Sequence, residues 1–437
     1  MIKKAVVLCG GGAKGAYQIG ALKALKKLGY KYDIVTGTSV GALNGAFAVT
    51  GDIKKAEKIW SNIEMNKIFS FNEKQKDISK AKSMADLTAN LIKSGSNASY
   101  EPLLNLITEN INEKKIRKSN IDYGFVTTRF SPLKKVSIYK EDIPNGQLDS
   151  YIMASAACYP YMKSFKINNT TYIDGGYFDN MPIDMAIKKG AKDIVVIDLK
   201  GVGKVIKQND LSAKITYISA NYDLGGIMIF DKDNSIRNIK LGYLDTMKAF
   251  NKLDGNLYAF KKGEVIKSSK LENKMIDLIR SIFVLLPNSS TLETLGEKSI
   301  RKILNDYQKD LFKVNSNILT SLEFAANIFN IDYLTEYTFN TLSNKVTLEY
   351  NKFKKENDEE LDIKSALSKV LKAEKLKDIF KLYDKRNLVL YLKKIIDKSD
   401  LTPEDKKDIY MFSIAFPDAV LAALFIKVYE DNKILLK

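Results

Sequence analysis

The sequence predicts an α/β fold, a mostly parallel sheet covered by helices, followed by an all-helical C-terminal region. Three observations predict it. A short apolar run, Val6 to Cys9, enters glycines and then Ile19, Leu22, Leu25 and Leu28 at helical spacing. A second run, Asp33 to Thr36, leads through Gly37-Thr38-Ser39-Val40-Gly41 into Val40, Leu43, Ala46 and Phe47, again at helical spacing. Two strand–helix units in succession imply parallel strands. Beyond about Lys270 the patterns are helical only.

Taken in order, Lys3 and Lys4 ahead of Ala5 to Cys9 have the outline of a signal peptide. The apolar run is shorter than the minimum of about 7 residues, so it reads as the first strand. Lys23, Lys26 and Lys27 form the polar face of the first helix, and Gly29 stops it. Further strand candidates are Tyr123 to Thr128, Val136 to Tyr139 and Ile194 to Leu199. Between Phe69 and Tyr100 the chain is polar and weakly patterned, a surface insertion in preference to a mobile cap. Ser290 with Glu293 and Thr320 with Glu323 have the spacing of capping boxes, and Thr402-Pro403 that of an N-cap followed by proline. Tyr410 to Tyr429 is the most apolar late stretch, but Pro417, Asp418 and Lys427 interrupt it, so it is not expected to span a membrane. The expected domains are residues 1–255 and 256–437.

At 437 residues, 45% of them hydrophobic, the chain is long enough for two cored domains. Lys and Arg number 69 against 52 Asp and Glu, a net charge of +17 that would draw it toward anionic membranes, nucleic acid or acidic partners. The lysines are spread through both halves, which favours a solvated surface, and no basic-aromatic nucleic-acid module is present. Cys9 and Cys158 lie in apolar surroundings and read as small core residues of a protein in a reducing compartment. The chain has no histidine. That removes Cys/His metal clusters and leaves only carboxylates for Mg²⁺ or Ca²⁺. No cofactor or metal is expected.

Gly37-Thr38-Ser39-Val40-Gly41 is G-x-S-x-G between a strand and a helix, the context in which a serine is raised on a tight turn. Glycine at 37 and 41 is needed because side chains there would meet the neighbouring strand and helix. The helix N-terminus beside Ser39 favours developing negative charge. Gly10-Gly11-Gly12-Ala13-Lys14-Gly15 fits the dinucleotide fingerprint G-x-G-x-x-G. The expected ribose-binding acid is missing from the end of the second strand, and Ala16 stands where a P-loop needs lysine. What this loop offers is a run of backbone N–H groups suited to an oxyanion next to Ser39. Without histidine a Ser-His-Asp triad is impossible, so the base is a lysine or a carboxylate. Ala42 occupies the lysine position of S-x-x-K. Asp174, at a strand end in Tyr172-Ile173-Asp174-Gly175-Gly176-Tyr177, is the best carboxylate, with Asp179 and Asp184 as alternatives and an ordinary Asp-Gly turn as the competing reading.

The order and spacing of these three motifs resemble the patatin-like phospholipase family over roughly residues 1–255. Ala154-Ser155-Ala156-Ala157-Cys158-Tyr159-Pro160 resembles the small-residue helix and proline ahead of that family's Asp-Gly motif. The resemblance implies a three-layer α/β/α fold, Ser39 as nucleophile, Asp174 as general base, and Gly10, Gly11 and Gly12 with the amides of Ala13, Lys14 and Gly15 as oxyanion hole. Gly37 and Gly41 would form the nucleophile elbow, and Gly175 and Gly176 the base motif. It implies metal-independent hydrolysis of acyl esters in phospholipids or lysophospholipids. Lys14 departs from the arginine common at that place, and the region after about 270 lies outside the resemblance.

The expected function is therefore a lipid acyl hydrolase acting through an acyl-enzyme, in the cytoplasm or at a membrane surface, with no nucleic-acid partner. The competing reading is a lipid- or membrane-binding protein with a vestigial site, and a nicotinamide oxidoreductase would rest on G-x-G-x-x-G alone. Tyr151, Tyr159, Tyr161, Tyr172 and Tyr177 surround the base, either as core residues or as the walls of an acyl channel.

Overall fold

The structure is a computed structural model that describes residues 2–70, 86, 89, 98–207, 212–283, 290–309, 316–357 and 384–433. Most of the weakly patterned stretch between Phe69 and Tyr100 lies outside the described residues. The chain divides into two compact units, Met1–Ala249 and Phe250–Lys437.

The first unit is built on a sheet of eight strands: β1 (Lys3–Leu8), β2 (Ile34–Thr38), β3 (Asp122–Arg129), β4 (Lys134–Tyr139), β5 (Phe165–Ile167), β6 (Thr170–Asp174), β7 (Ala191–Asp198) and β8 (Lys214–Ser219). Their order is β5-β6-β3-β2-β1-β7-β8, with β4 also on β3. The run β3-β2-β1-β7-β8 is parallel. β4, β5 and β6 add antiparallel pairs at one side. Ala5 to Leu8 and all of β2 are buried, as parallel strands covered on both faces must be.

Helices α1 (Ala16–Lys27), α2 (Val40–Thr50), α3 (Ile53–Trp60), α4 (Glu101–Asn110), α5 (Glu113–Lys118), α6 (Leu148–Ser155), α7 (Ile183–Lys188) and α8 (Lys232–Ala249) surround the sheet. The period of two in β1 and β7 sends Ala5, Val7, Cys9, Ile194 and Val196 to one face, where Ile183 and Ala186 of α7 cover them. α2 lies on the opposite face, where Gly45 sits against Leu8, Val35 and Tyr123. α1 and α8 approach so closely that a Cβ at Gly20 would overlap the Ile239 carbonyl, and one at Gly242 the Tyr17 carbonyl.

One feature of register positions the site. Val126 of β3 pairs with Thr38 of β2 and with Ser137 of β4. The next residue, Thr127, pairs with Asp174 of β6 and with Val136 of β4. A strand has two edges, so β4 occupies one while β2 and β6 share the other. β2 runs parallel to β3 and β6 antiparallel, so their C-terminal ends meet. β5 and β6 form a hairpin around Asn168-Asn169, where Asn168 adopts φ 52°, a value asparagine tolerates in tight turns.

The second unit is mainly helical around an apolar core in which Ala419 to Ile426 are fully buried. It also holds three strands of two or three residues, Leu253–Asp254, Ala259–Lys261 and Glu336–Tyr337, too short to leave a readable period. Ser290 and Glu293 form the reciprocal cap expected of them. Thr402 caps Pro403–Ala415 together with Asp405. The pair Thr320 and Glu323 does not form a cap. Ser316 is the N-cap of Asn317–Ile328, Thr320 lies inside that helix, and Glu323 accepts the N–H groups of Asn256 and Tyr258. The apolar stretch Tyr410 to Tyr429 is two packed helices broken at Phe416-Pro417. Among the described residues no helix is long and apolar enough to cross a membrane.

Candidate active site

Ser39 is the junction between β2 and α2. It is the N-cap of α2, with φ 58° and ψ −126°, a left-handed backbone that costs a non-glycine residue on the order of 1–3 kcal/mol. The turn is tight because Gly37 and Gly41 have no side chains: a Cβ at 37 would overlap the Gly41 carbonyl, and one at 41 the Leu8 carbonyl. The strain is held by partners from distant parts of the chain. The Ser39 N–H donates to Ser155 Oγ at 2.9 Å, and that hydroxyl donates to the Val126 carbonyl at 2.6 Å. Thr38 Oγ1 donates to the Asp179 carbonyl at 2.7 Å.

Asp174 ends β6 and is buried. Its N–H donates to the Ala157 carbonyl at 2.8 Å, and its Oδ1 accepts the Gly176 N–H at 2.7 Å. Burial raises its carboxyl from 3.8 to about 6, while the Ser39 side chain and the Gly176 N–H act in the opposite direction. The other two aspartates are committed elsewhere. Asp179 is fully buried and ion-paired to Lys135 Nζ at 2.6 Å, and Asp184 shares that lysine at 3.4 Å. Neither borders the cavity described next.

Ser39 and Asp174 border one cavity of about 90 Å³, several times the roughly 10–15 Å³ that one water needs on the same measure. Most of its walls are apolar: Val40, Leu43 and Phe47 of α2, Ile59 and Trp60 of α3, Leu103 and Leu106 of α4, and Met228 and Phe230 after β8. None of the five tyrosines borders this cavity, so its described walls are not the expected tyrosine channel; Tyr159 and Tyr177 face solvent instead. Cys158 is not simply a core residue, because it borders the cavity beside Asp174. Burial and the Asp174 charge push its thiol well up, so it stays protonated. Among the described residues no group of three or more Cys, Asp or Glu is placed to hold a metal ion.

The glycine loop lies beside Ser39, where a Cβ at Gly10 would stand 3.4 Å from the Ser39 Cβ, but its amides are not equivalent. Gly10 donates to the Asn180 carbonyl at 3.1 Å, Ala13 to Ile227 at 2.7 Å and Lys14 to Gly11 at 3.2 Å. Gly11 and Gly12 border the cavity, and their N–H groups have no acceptor among the described residues. Gly12 adopts φ 54°, and a Cβ there would overlap the Ile227 carbonyl. Behind the loop, Asn44 donates from Nδ2 to the Gly15 carbonyl at 3.0 Å and to Gln18 Oε1 at 2.9 Å, and its Oδ1 accepts Trp60 Nε1–H at 3.0 Å. Gln18 Nε2 in turn donates to the Cys9 carbonyl at 2.7 Å. This amide chain ties α1, α2 and α3 to the loop.

Residues 6–187, which hold the glycine loop, the Ser39 elbow and the Asp174 strand end, match the family model of patatin-like phospholipases. This part of the chain is a patatin-like phospholipase domain. Patatin-like phospholipase domain-containing protein 7 of Rattus norvegicus is 29% identical over 197 residues, which are 45% of this chain and 13% of that protein. Neuropathy target esterase sws of Drosophila melanogaster is 30% identical over 201 residues, 44% of this chain and 13% of that protein. The chain thus spans a small part of the curated relatives it matches. Among solved structures, VipD from Legionella pneumophila is 14% identical with a TM-score of 0.37, covering 98% of this chain and 91% of that one.

Sequence reasoning singled out Ser39, Asp174 and the loop of the patatin-like domain. It did not single out Ser155 as the holder of the elbow, nor the Gln18–Asn44–Trp60 chain. The only local trace of Ser155 is a lone hydroxyl in the small-residue run Ala154 to Ala157.

Proposed function

We propose that the patatin-like domain hydrolyses acyl esters of lipids, phospholipids or lysophospholipids, with Ser39 as nucleophile and Asp174 as general base. The observation that carries this reading is that a strained serine and a buried carboxyl border the same apolar cavity. A general base works best with a pKa near the working pH, and about 6 is much closer to neutrality than an ordinary aspartate.

In the first step Asp174 takes the hydroxyl proton as Ser39 Oγ attacks the ester carbonyl carbon. The negative charge moves to the carbonyl oxygen, where the Gly11 and Gly12 N–H groups and the N-terminus of α2 stabilise it. Collapse breaks the bond to the leaving alkoxide, which receives the proton from Asp174, and leaves an acyl-Ser39 ester. Water then gives its proton to Asp174 and attacks that ester. The carboxylic acid leaves, and the proton returns to Ser39 Oγ. The apolar walls receive the acyl chain. This reading places the protein at work on lipid, in the cytoplasm or on a membrane surface.

Turnover of a water-soluble short-chain ester tests it. Ser39→Ala and Asp174→Asn are each expected to reduce hydrolysis to background while remaining folded, and a fluorophosphonate probe is expected to label wild type and not Ser39→Ala. Retained hydrolysis in either variant would refute the dyad. Liposome binding with no ester turnover by wild type would favour a lipid-binding protein with a vestigial site.

A further inference from the structure

We infer that the loops around the cavity mouth form a docking surface for an anionic phospholipid bilayer, with the mouth facing the lipid. The inference deepens the hydrolase reading and rests on it for its purpose.

Eight large hydrophobic side chains of the first unit face solvent among the described residues. Ile2 and Tyr217 are isolated from the rest in sequence. The other six, Phe130, Leu133, Tyr159, Tyr177, Val202 and Val205, lie on four segments, 129–135, 158–166, 175–181 and 198–207. A series of contacts joins the four. The Phe130 ring meets that of Tyr159 with centroids 5.5 Å apart. Tyr177 Oη donates to the Tyr159 carbonyl at 2.6 Å, and the Lys204 N–H donates to the Gly176 carbonyl at 2.9 Å. Val202 is 84% exposed and also borders the cavity, so it stands at the mouth. Leu133 at 55% and Val205 at 53% extend the patch outward. Solvent rarely surrounds grouped aliphatic and aromatic side chains unless something covers them in use.

The charge of the same segments identifies the cover. They carry Arg129, Lys134, Lys135, Lys163, Lys166, Lys200, Lys204 and Lys207 against two carboxylates, Asp179 and Asp198. Asp179 is fully buried on Lys135, and an Asp198 oxygen accepts the Lys200 N–H at 2.8 Å. Lys134, Lys163, Lys166, Lys200, Lys204 and Lys207 are exposed. Apolar and tyrosyl side chains ringed by lysines match a lipid interface. The aliphatic groups enter the acyl boundary, tyrosines sit at headgroup level, and each lysine gains from a negative surface potential. An acidic protein surface would satisfy the lysines and leave the valines and Leu133 in water. Docked this way, an acyl ester passes from the bilayer into the cavity without crossing solvent.

Cosedimentation of the full chain with vesicles tests the surface, using phosphatidylcholine alone and an equal mixture with phosphatidylglycerol. Wild type is expected to bind the mixed vesicles, more weakly as salt rises, and to bind neutral vesicles poorly. Leu133→Asp/Val205→Asp and, separately, Lys204→Glu/Lys207→Glu are each expected to weaken binding on the order of tenfold or more. Both are expected to hydrolyse a water-soluble ester at the wild-type rate, which also shows that they fold. Equal binding of both vesicle types by wild type, or undiminished binding by both variants, would overturn the inference. Vesicle binding without ester turnover would overturn the hydrolase reading and leave this surface standing.

Discussion

Thr38 and Asp174 face consecutive residues, Val126 and Thr127, on the same edge of β3. β2 ends at Thr38 and β6 ends at Asp174, so two strands running toward one another stop one register apart. The residue after Thr38 is Ser39. The proposed dyad therefore rests on backbone pairing to a shared strand, and the proposed chemistry depends on β3 as much as on either motif.

Hydrolysis of a soluble ester should follow the ionisation of Asp174. Its carboxyl is held up to about 6 by burial, and only the carboxylate accepts the serine proton. At low substrate, kcat/KM is expected to fall about tenfold per pH unit below that value and to level off above it. A profile flat from pH 4 to pH 8 would contradict the assignment of the base.

The same group is expected to weaken the fold at neutral pH. The native state holds the Asp174 proton to about 6, against an ordinary 3.8. Its contribution to stability is thus fully present below the unfolded value and is lost as pH rises through about 6. Asp174→Asn removes a buried charge, so it should be more stable than wild type at pH 7 by on the order of 1–3 kcal/mol while inactive. Thermal melts should show that advantage shrinking as pH is lowered from 6 toward 4.

Ser155→Ala should uncouple the elbow from the sheet. Its hydroxyl both accepts the Ser39 N–H and donates to the Val126 carbonyl, so truncation leaves two buried groups unpaired. A stability loss of about 1–3 kcal/mol is expected. kcat should fall with KM nearly unchanged, because Ser155 positions the serine and is absent from the cavity wall. An unaltered kcat would remove it from the positioning role.

Gly12→Ala is expected to damage activity more than stability alone explains. The added methyl would meet the Ile227 carbonyl at a residue already at φ 54°, displacing one of the two loop amides that border the cavity. Loss of one oxyanion donor costs roughly 10²–10³-fold in kcat. Gly51→Ala is the control, since it shares positive φ but meets nothing within 4 Å; it should lose stability and keep activity.

Trp60→Phe keeps a ring on the cavity wall and deletes one N–H. Asn44 Oδ1 then loses its 3.0 Å donor inside the core, which should cost about 1–3 kcal/mol. Chemical denaturation read by far-UV circular dichroism checks it, because Trp60 is the chain's one tryptophan.

The parts of the fold and site that the sequence reveals are those with a local signature. β1, the glycine loop, α1, β2, the Ser39 turn and α2 are legible because strand period, helix period and side-chain-free turns leave a trace within a few residues. The absence of histidine excludes the triad by composition alone. Other features leave a weaker or ambiguous trace. β5 and β6 are short and read weakly, and Ser290 with Glu293 forms a cap while Thr320 with Glu323, at identical spacing, does not. Spacing permits a cap, but the start of the helix at Ser316 decides which residue can be one.

By itself, then, the sequence determined an α/β domain with a serine on a glycine-flanked turn beside a loop of open amides. Sequence context favours Asp174 without separating it from its neighbours, and it takes the tertiary structure to bring one candidate carboxylate to the cavity that serine borders. Asp174, Asp179 and Asp184 lie within eleven residues of one another, and it is the pairing of β6 to β3 that brings Asp174 to the cavity while Lys135 binds the other two. It also decided which amides stay available, because the Asn180 and Ile227 carbonyls that occupy Gly10 and Ala13 come from far along the chain. Local chemistry prescribes conformation over one turn or one strand; the partner of a buried charge is set by long-range pairing, which no short window contains.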